Sequence, residues 1–244
     1  MVFIKTFQYL SHRRDIIGPE LSAKFGYLRE KVPTHSYATT CKLFREGYGK
    51  NIHEVFDEFD PVPIASGSVS QVYQAKYKNQ KVAVKVRHPG VDVYIERDID
   101  LMFMLSKAAS YLSPSYEIPI SHKSLKKTFT DQLDFTTEMR NLKTFNKMFK
   151  GNKDVKFPQP FVESTKEEVL VEEFVEGVPV SFYESNRHPL NKIIARQGSE
   201  AFFEMLMKNN FIHADCHGGN IFIAMEKPKY NFFTEIWGAL KDFT

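Results

Sequence analysis

The stretch His213-Ala214-Asp215-Cys216-His217-Gly218-Gly219-Asn220 decides how this chain is read. Its spacing is H-x-D-x-x-x-x-N, which sets one carboxylate and one carboxamide on a short polar loop. That arrangement suits phosphoryl transfer. Asp215 accepts or orients the proton of an attacking hydroxyl, and Asn220 holds a magnesium ion. The loop follows a predicted helix over 191–209 and the run Phe211-Ile212, and it precedes a short predicted strand, Ile221-Phe222-Ile223. A transition-metal site made from His213, Cys216 and His217 is the competing reading, but no separate pair of ligands closes a tetrahedral set. His213 reads better as a packed, hydrogen-bonded structural residue.

A second cluster lies well upstream. Ala65-Ser66-Gly67-Ser68-Val69-Ser70-Gln71-Val72 keeps the spacing of a kinase phosphate-covering loop, G-x-G-x-x-G-x-V, in the form A-x-G-x-x-S-x-V. Small side chains at these places let backbone N–H groups approach phosphate oxygens, and the hydroxyls of Ser66, Ser68 and Ser70 add donors. Alanine in place of the first glycine stiffens the loop. Val82-Ala83-Val84-Lys85 then matches the V-A-I-K strand, whose lysine holds the α- and β-phosphates. One hairpin brings loop and lysine around one ligand. The blander reading of Lys85 is a lysine turned to solvent by strand alternation.

A phosphate-binding lysine needs a carboxylate to orient it. Glu138 is the candidate, and Asp134 is placed on the same predicted helical face. Ordinary solvated helix carboxylates are the alternative for both. Glu173 and Val175, in the strand pattern Val169-Leu170-Val171…Phe174-Val175, join Ala65–Ser70, Val72 and Lys85 as candidate cofactor-binding residues. A second metal contact needs a D-F-G aspartate, and the candidate is Asp242 of Asp242-Phe243-Thr244. Thr stands there where Gly is expected, and the gap after Asn220 is long.

The elements around these motifs alternate in a consistent way. Residues 1–60 read as a helical extension, with Phe3, Phe7 and Leu10 on one face, Pro19 in the first turn of a second helix, and Tyr37, Cys41, Phe44 and Tyr48 at helical spacing. Pro61-Val62-Pro63 breaks the pattern. Two β-branched runs about Lys78-Asn79-Gln80 predict a hairpin. Helices are predicted from about Asp92 to Leu112 and, as one long helix, from about Ser121 to Phe149. The fold class expected is α+β, a protein-kinase-like two-lobe fold. Its predicted parts are a helical extension over 1–60, an N-lobe with inserted helices over 61–175 and a partial C-lobe over 176–244. An incomplete C-lobe is the expectation, since the helices that complete one do not follow.

Composition narrows the function. Hydrophobic residues make up 42% and charged residues 26% of the 244, which is ordinary for a globular chain. The net charge is only +3, with no basic stripe, so a nucleic-acid partner is not expected. Cys41 and Cys216 form no CxxC pair, which predicts reduced thiols. No apolar run is long enough to span a bilayer, and the N-terminus lacks a secretory cleavage pattern.

Three motifs in order carry a family resemblance. Ile64 to Val72 resembles the alanine-containing loop of the UbiB/aarF-domain (ADCK) atypical kinases. Phe211 to Asn220 is similar to that family's H-A-D-x-H-x-G-N loop, with wording close to an animal branch, and Asp134 to Asn141 resembles its D-F-x-x-E-x-x-N helix. The resemblance runs from about Phe3 to Ile223. It implies an N-terminal K-x-G-Q motif that folds over the nucleotide site and restrains protein kinase activity. Lys5 and Gln8 match its Lys and Gln, but Phe7 replaces the glycine. The facing E-x-D motif reads Gln132-Leu133-Asp134 here, leaving Lys5 against Asp134 as the regulatory charge pair.

The resemblance further implies ATP or ADP with Mg2+ as cofactors and a mitochondrial, membrane-associated role in coenzyme Q or related lipid metabolism. A lipid or a lipid-biosynthetic enzyme would be the partner. The expected activity is that of an atypical kinase or ATPase. A catalytically silent scaffold is the alternative, favoured by Phe7 and Gln132 and opposed by intact Lys85, Asp215 and Asn220. A small-molecule phosphotransferase shares the 213–220 pattern but not the Ala65 loop with Gln71.

Overall fold

Strand alternation sorts the central residues onto two faces. In this computed structural model, which describes residues 2–3, 6, 11, 15, 18–22, 24, 33–111, 121–184, 188–213, 216 and 218–224, α1 (Tyr37–Tyr48) and α2 (Ile52–Val55) precede the sheet. The strands are β1 (Glu58–Phe59), β2 (Ala65–Ser66), β3 (Ser70–Tyr77), β4 (Gln80–Arg87) and β5 (Val169–Glu173). They form one antiparallel sheet in the order β1-β3-β4-β5, with β2 also paired to β3. Tyr73, Ala75, Val82, Val84, Val86, Val169 and Val171 are buried together on one face. The period of two puts Val72, Ala83, Lys85, Leu170 and Glu172 on the other.

The first face is covered by the N-terminal helices. Ser36 caps α1 by accepting from the Thr39 amide, and Gly49 ends it in the left-handed region at φ 65. Phe44, Ile52 and Phe56 are buried among the sheet valines, with Tyr37, Cys41 and Tyr48 packed around them. The ring of Phe44 stacks on Tyr48 with centroids 4.6 Å apart. Burying a side chain of this size contributes roughly 1.5–3 kcal/mol. The helices of the N-terminal segment therefore share one core with the sheet. The β3–β4 hairpin turns at Lys78-Asn79, both with positive φ (49 and 64), as the right-handed strand twist requires of a two-residue turn.

The second face is covered by helices inserted between β4 and β5. They are α3 (Val91–Ser110), α4 (His122–Asp131) and α5 (Phe135–Met148). Phe135 and Leu142 of α5 are buried against Leu170 of β5. The sequence predicts a single helix over 121–149, and the structure divides it at Gln132–Asp134. The Asp134 side chain accepts the Thr136 amide at 2.8 Å as the N-cap of α5, so the residue stands outside the helix rather than one turn before Glu138 on its face. Arg87, at the end of β4, donates to the Leu133 carbonyl at 2.9 Å, and the Phe135 amide donates to the Glu167 carbonyl. These bonds fix the start of α5 against the sheet.

Contacts divide the chain into two units, Met1–Phe174 and Val175–Thr244. In the second, β6 (Val178–Pro179) leads into α6 (Val180–Glu184), then α7 (Asn191–Phe203), a wider π turn over Glu204–Lys208 and β7 (Phe222–Ile223). β6 and β7 pair antiparallel. A side chain at Gly177 would meet the Ile223 carbonyl oxygen at 2.8 Å, so glycine is needed for that approach. The Ser181 amide donates to the Gly218 carbonyl at 3.0 Å, which ties the 218–220 turn to α6. Among the described residues no helix is long and apolar enough to cross a membrane. Neither Cys41 nor Cys216 is in a disulfide.

Candidate functional site

Lys85 stands at the centre of the face opposite the sheet's main core, across from Val72 on β3 and Leu170 on β5. Its ammonium donates to Glu138 Oε1 at 2.7 Å and lies 3.0 Å from Glu172 Oε1. The Lys85 side chain is 26% exposed and that of Glu172 only 8%, whereas Glu138 is 41% exposed. Burial alone would pull the lysine's pKa down. The charges of Glu172 and Glu138 more than offset it and hold the ammonium above its ordinary range. Burial pushes the Glu172 carboxyl up, and Lys85 draws it back. Within this cluster two carboxylates face a single ammonium.

The 65–72 segment runs beside this cluster. Ala65 and Ser66 pair with Val72 and Gln71, and the Gly67 amide donates to the Ser70 carbonyl at 2.8 Å, closing a tight turn. A side chain at Gly67 would meet only the Ser70 carbonyl, at an ordinary 3.6 Å. The fold itself thus does not require glycine there, and the open side of the turn fits a ligand's close approach. These residues suit the phosphates of a nucleotide: a fixed ammonium and a small-residue turn on neighbouring strands, with an orienting carboxylate on α5.

The structure brings together Val72, Lys85, Glu138 and the 65–70 turn. It does not bring Asp134 or the Glu173 side chain to the same point. Asp134 is engaged with Thr136; partial burial would raise its carboxyl, but the Thr136 hydroxyl and amide and the nearby Arg140 hold it below the usual range. The Glu173 side chain faces Gln159, whose amide it accepts at 3.3 Å, one register position away from Lys85's face. Val175 is 39% exposed. Asn220 lies in the exposed 218–220 turn, and His213 is half-buried. The readings on Lys5, Gln8, Asp215, His217 and Asp242 lie outside the described residues. No group of three or more His, Cys, Asp or Glu that would hold a metal occurs among the described residues. Sequence reasoning missed Glu172. Its signal is an acid at the end of the apolar run Val169-Leu170-Val171, where burial demands a cation.

A hairpin lysine paired to a helix carboxylate beside a small-residue turn is the arrangement of a kinase-like fold. Residues 27–239 match the ABC1 atypical kinase-like domain, and the chain belongs to that family. It is 34% identical over 236 residues to a protein of Aeromonas hydrophila named "Probable protein kinase UbiB", covering 93% of this chain and 43% of that protein. It is 37% identical over 226 residues to "Probable serine/threonine-protein kinase abkC" of Dictyostelium discoideum, covering 91% and 33%. It is 32% identical over 270 residues to a mitochondrial ABC1 family protein of Schizosaccharomyces pombe, covering 94% and 38%. The chain spans less than half the length of these relatives. The solved structure of Rv3197 with erythromycin, from Mycobacterium tuberculosis, matches with a TM-score of 0.67 at 24% identity, covering 78% of this chain and 49% of that one, and shows the shared fold.

Proposed function

We propose that the face around Lys85 binds the phosphates of ATP or ADP and that the chain is the nucleotide-binding part of an atypical kinase or ATPase. The observation that carries this reading is the 2.7 Å bond from Lys85 to Glu138 on a sheet face continuous with the 65–72 turn. Lys85 would orient phosphate oxygens, Glu138 would hold Lys85, and the turn would offer backbone N–H groups. By the strand pattern alone, Glu173 and Val175 would be further nucleotide contacts. Magnesium–ATP would supply the transferable phosphoryl group. By the family motif, Asp215 would orient the acceptor hydroxyl, with Asn220 and Asp242 as metal ligands, and Lys5, Gln8 and Asp134 would regulate the site.

The biological reading is a role in mitochondrial coenzyme Q or related lipid metabolism, with a lipid or a membrane-associated biosynthetic enzyme as partner. It rests on family likeness, supported by a relative named UbiB and another named as mitochondrial. The second reading is a silent scaffold, and one observation favours it: Lys85 sits between two carboxylates whose excess charge opposes phosphate. Thermal unfolding with magnesium and ADP separates the two. A ligand bound only by the folded chain raises stability by about 2.7 kcal/mol at 100 times its dissociation constant. A rise lost in Lys85→Ala supports the nucleotide site, and an unchanged wild-type midpoint supports the scaffold.

A further inference from the structure

Gln71, Tyr73 and Thr40 are polar side chains with no exposed surface, and their hydrogen bonds run in one continuous chain to the 65–72 turn. The Gln71 amide is oriented by two backbone contacts: its Oε1 accepts from the His35 N–H at 2.9 Å, and its Nε2 donates to the His35 carbonyl at 3.1 Å. Nε2 also donates to the Tyr73 hydroxyl. Tyr73 lies 2.6 Å from Thr40 Oγ1, which lies 2.9 Å from His35 Nε2. His35 Nδ1 lies 2.8 Å from His88 Nδ1, and His88 Nε2 lies 3.0 Å from the Gly67 carbonyl oxygen.

Both ends fix the direction of every proton. A carbonyl only accepts, so His88 Nε2 carries hydrogen and, in the neutral ring, His88 Nδ1 accepts. His35 must then donate from Nδ1 and accept at Nε2 from Thr40, and Tyr73 donates to Thr40. Every donor is paired. Adding one proton to His88 reverses the chain as far as Tyr73 and strands that buried hydroxyl's hydrogen without an acceptor. Protonating both rings sets N–H against N–H. Burial, with His88 beside it, holds His35 down to about 4, and burial holds His88 below its ordinary value despite the bond to Gly67, in keeping with two neutral rings.

We infer that His88 is a positioning residue for the phosphate-binding turn, held by the His35–Thr40–Tyr73–Gln71 chain in the tautomer that grips the Gly67 carbonyl. This inference rests on the nucleotide reading above. In a trans peptide the C=O and the next N–H point in opposite directions. Turning the Gly67 carbonyl toward His88 therefore turns the Ser68 N–H away from it. It also keeps a carbonyl dipole from facing the anion. The ligand recognised is a phosphate chain on a nucleoside, not the nucleoside itself.

Two measurements on the intact chain test this. Nitrogen–proton correlation spectra of the histidine rings near neutral pH, assigned with His35→Gln and His88→Gln, should show His35 as the Nδ1–H tautomer and His88 as the Nε2–H tautomer. Two Nε2–H rings overturn the relay. Equilibrium binding should show His88→Phe weakening ADP by about five-fold, the worth of one hydrogen bond, with adenosine unchanged. His88→Gln, which carries an amide nitrogen near the Nε2 position, should restore ADP binding. Equal loss for ADP and adenosine means a general structural role and overturns the inference, as does wild-type affinity in His88→Phe. Assigned tautomers in a wild-type chain that binds neither ligand keep the relay and sink the nucleotide reading.

Discussion

Lys85 neutralises Glu172, the most buried carboxylate of the site, so its removal should cost more than the loss of one exposed pair. Lys85→Met is expected to destabilise by about 3 kcal/mol because it leaves a buried charge without a partner. Adding Glu172→Gln should return most of that, whereas Glu138→Gln alone, at a half-exposed carboxylate, should cost under about 1 kcal/mol. Urea unfolding of the set checks this, and simple additivity of Lys85→Met and Glu172→Gln would contradict it. His35 supplies a pH dependence. Its folded-state value, about 4 against an ordinary 6.5, means that its contribution is complete above pH 6.5 and is lost as pH falls toward 4. Thr40, Gln71, Tyr73 and His88 face it, and His35→Gln should flatten the fall of the unfolding midpoint across that window. Lys85 and Glu138 were legible because their motif spacing carries their chemistry. Glu172 was not, because the acid ending the apolar run Val169–Val171 signals a buried charge, while its partner is set by pairing opposite Ala83, beside Lys85.

At the scale of elements, the division between α4 and α5 matters most, since it aims Glu138 at Lys85. Leu125, Phe129 and Leu133 continue so smoothly toward Leu142 and Phe145 that the apolar pattern reads as one helix. The cap chemistry of Asp134 overrides it, with Arg87 holding the Leu133 carbonyl at the break. Asp134→Ala should cost about 1 kcal/mol, seen as a lower thermal midpoint, and Asp134→Ser should recover most of it. Equal midpoints for the wild type and Asp134→Ala would show that the break is held by Arg87 alone. The hairpin was readable from two β-branched runs about a polar turn. β1 and β6 were not, because two residues cannot display alternation.

Across the whole molecule, the sequence showed an α+β kinase-like plan, because the order of motifs survives even where single helices are misjudged. The packing of the N-terminal helices on the sheet was harder to see, since α1 declares an apolar face without naming what covers it. Phe44→Ala, at the shared core, should cost about 3–5 kcal/mol. Hydrogen exchange should then quicken in α1 and in β3–β4 together; quickening in α1 alone would contradict the shared core. The most direct measurement concerns Lys85 itself. An acyl-phosphate analogue of ATP transfers its acyl group to a lysine beside the bound phosphates, and mass spectrometry locates the modified residue. Acylation of Lys85 that excess ADP suppresses is the expected result. Acylation confined to exposed lysines such as Lys42 and Lys208, and indifferent to ADP, would contradict nucleotide binding at this face.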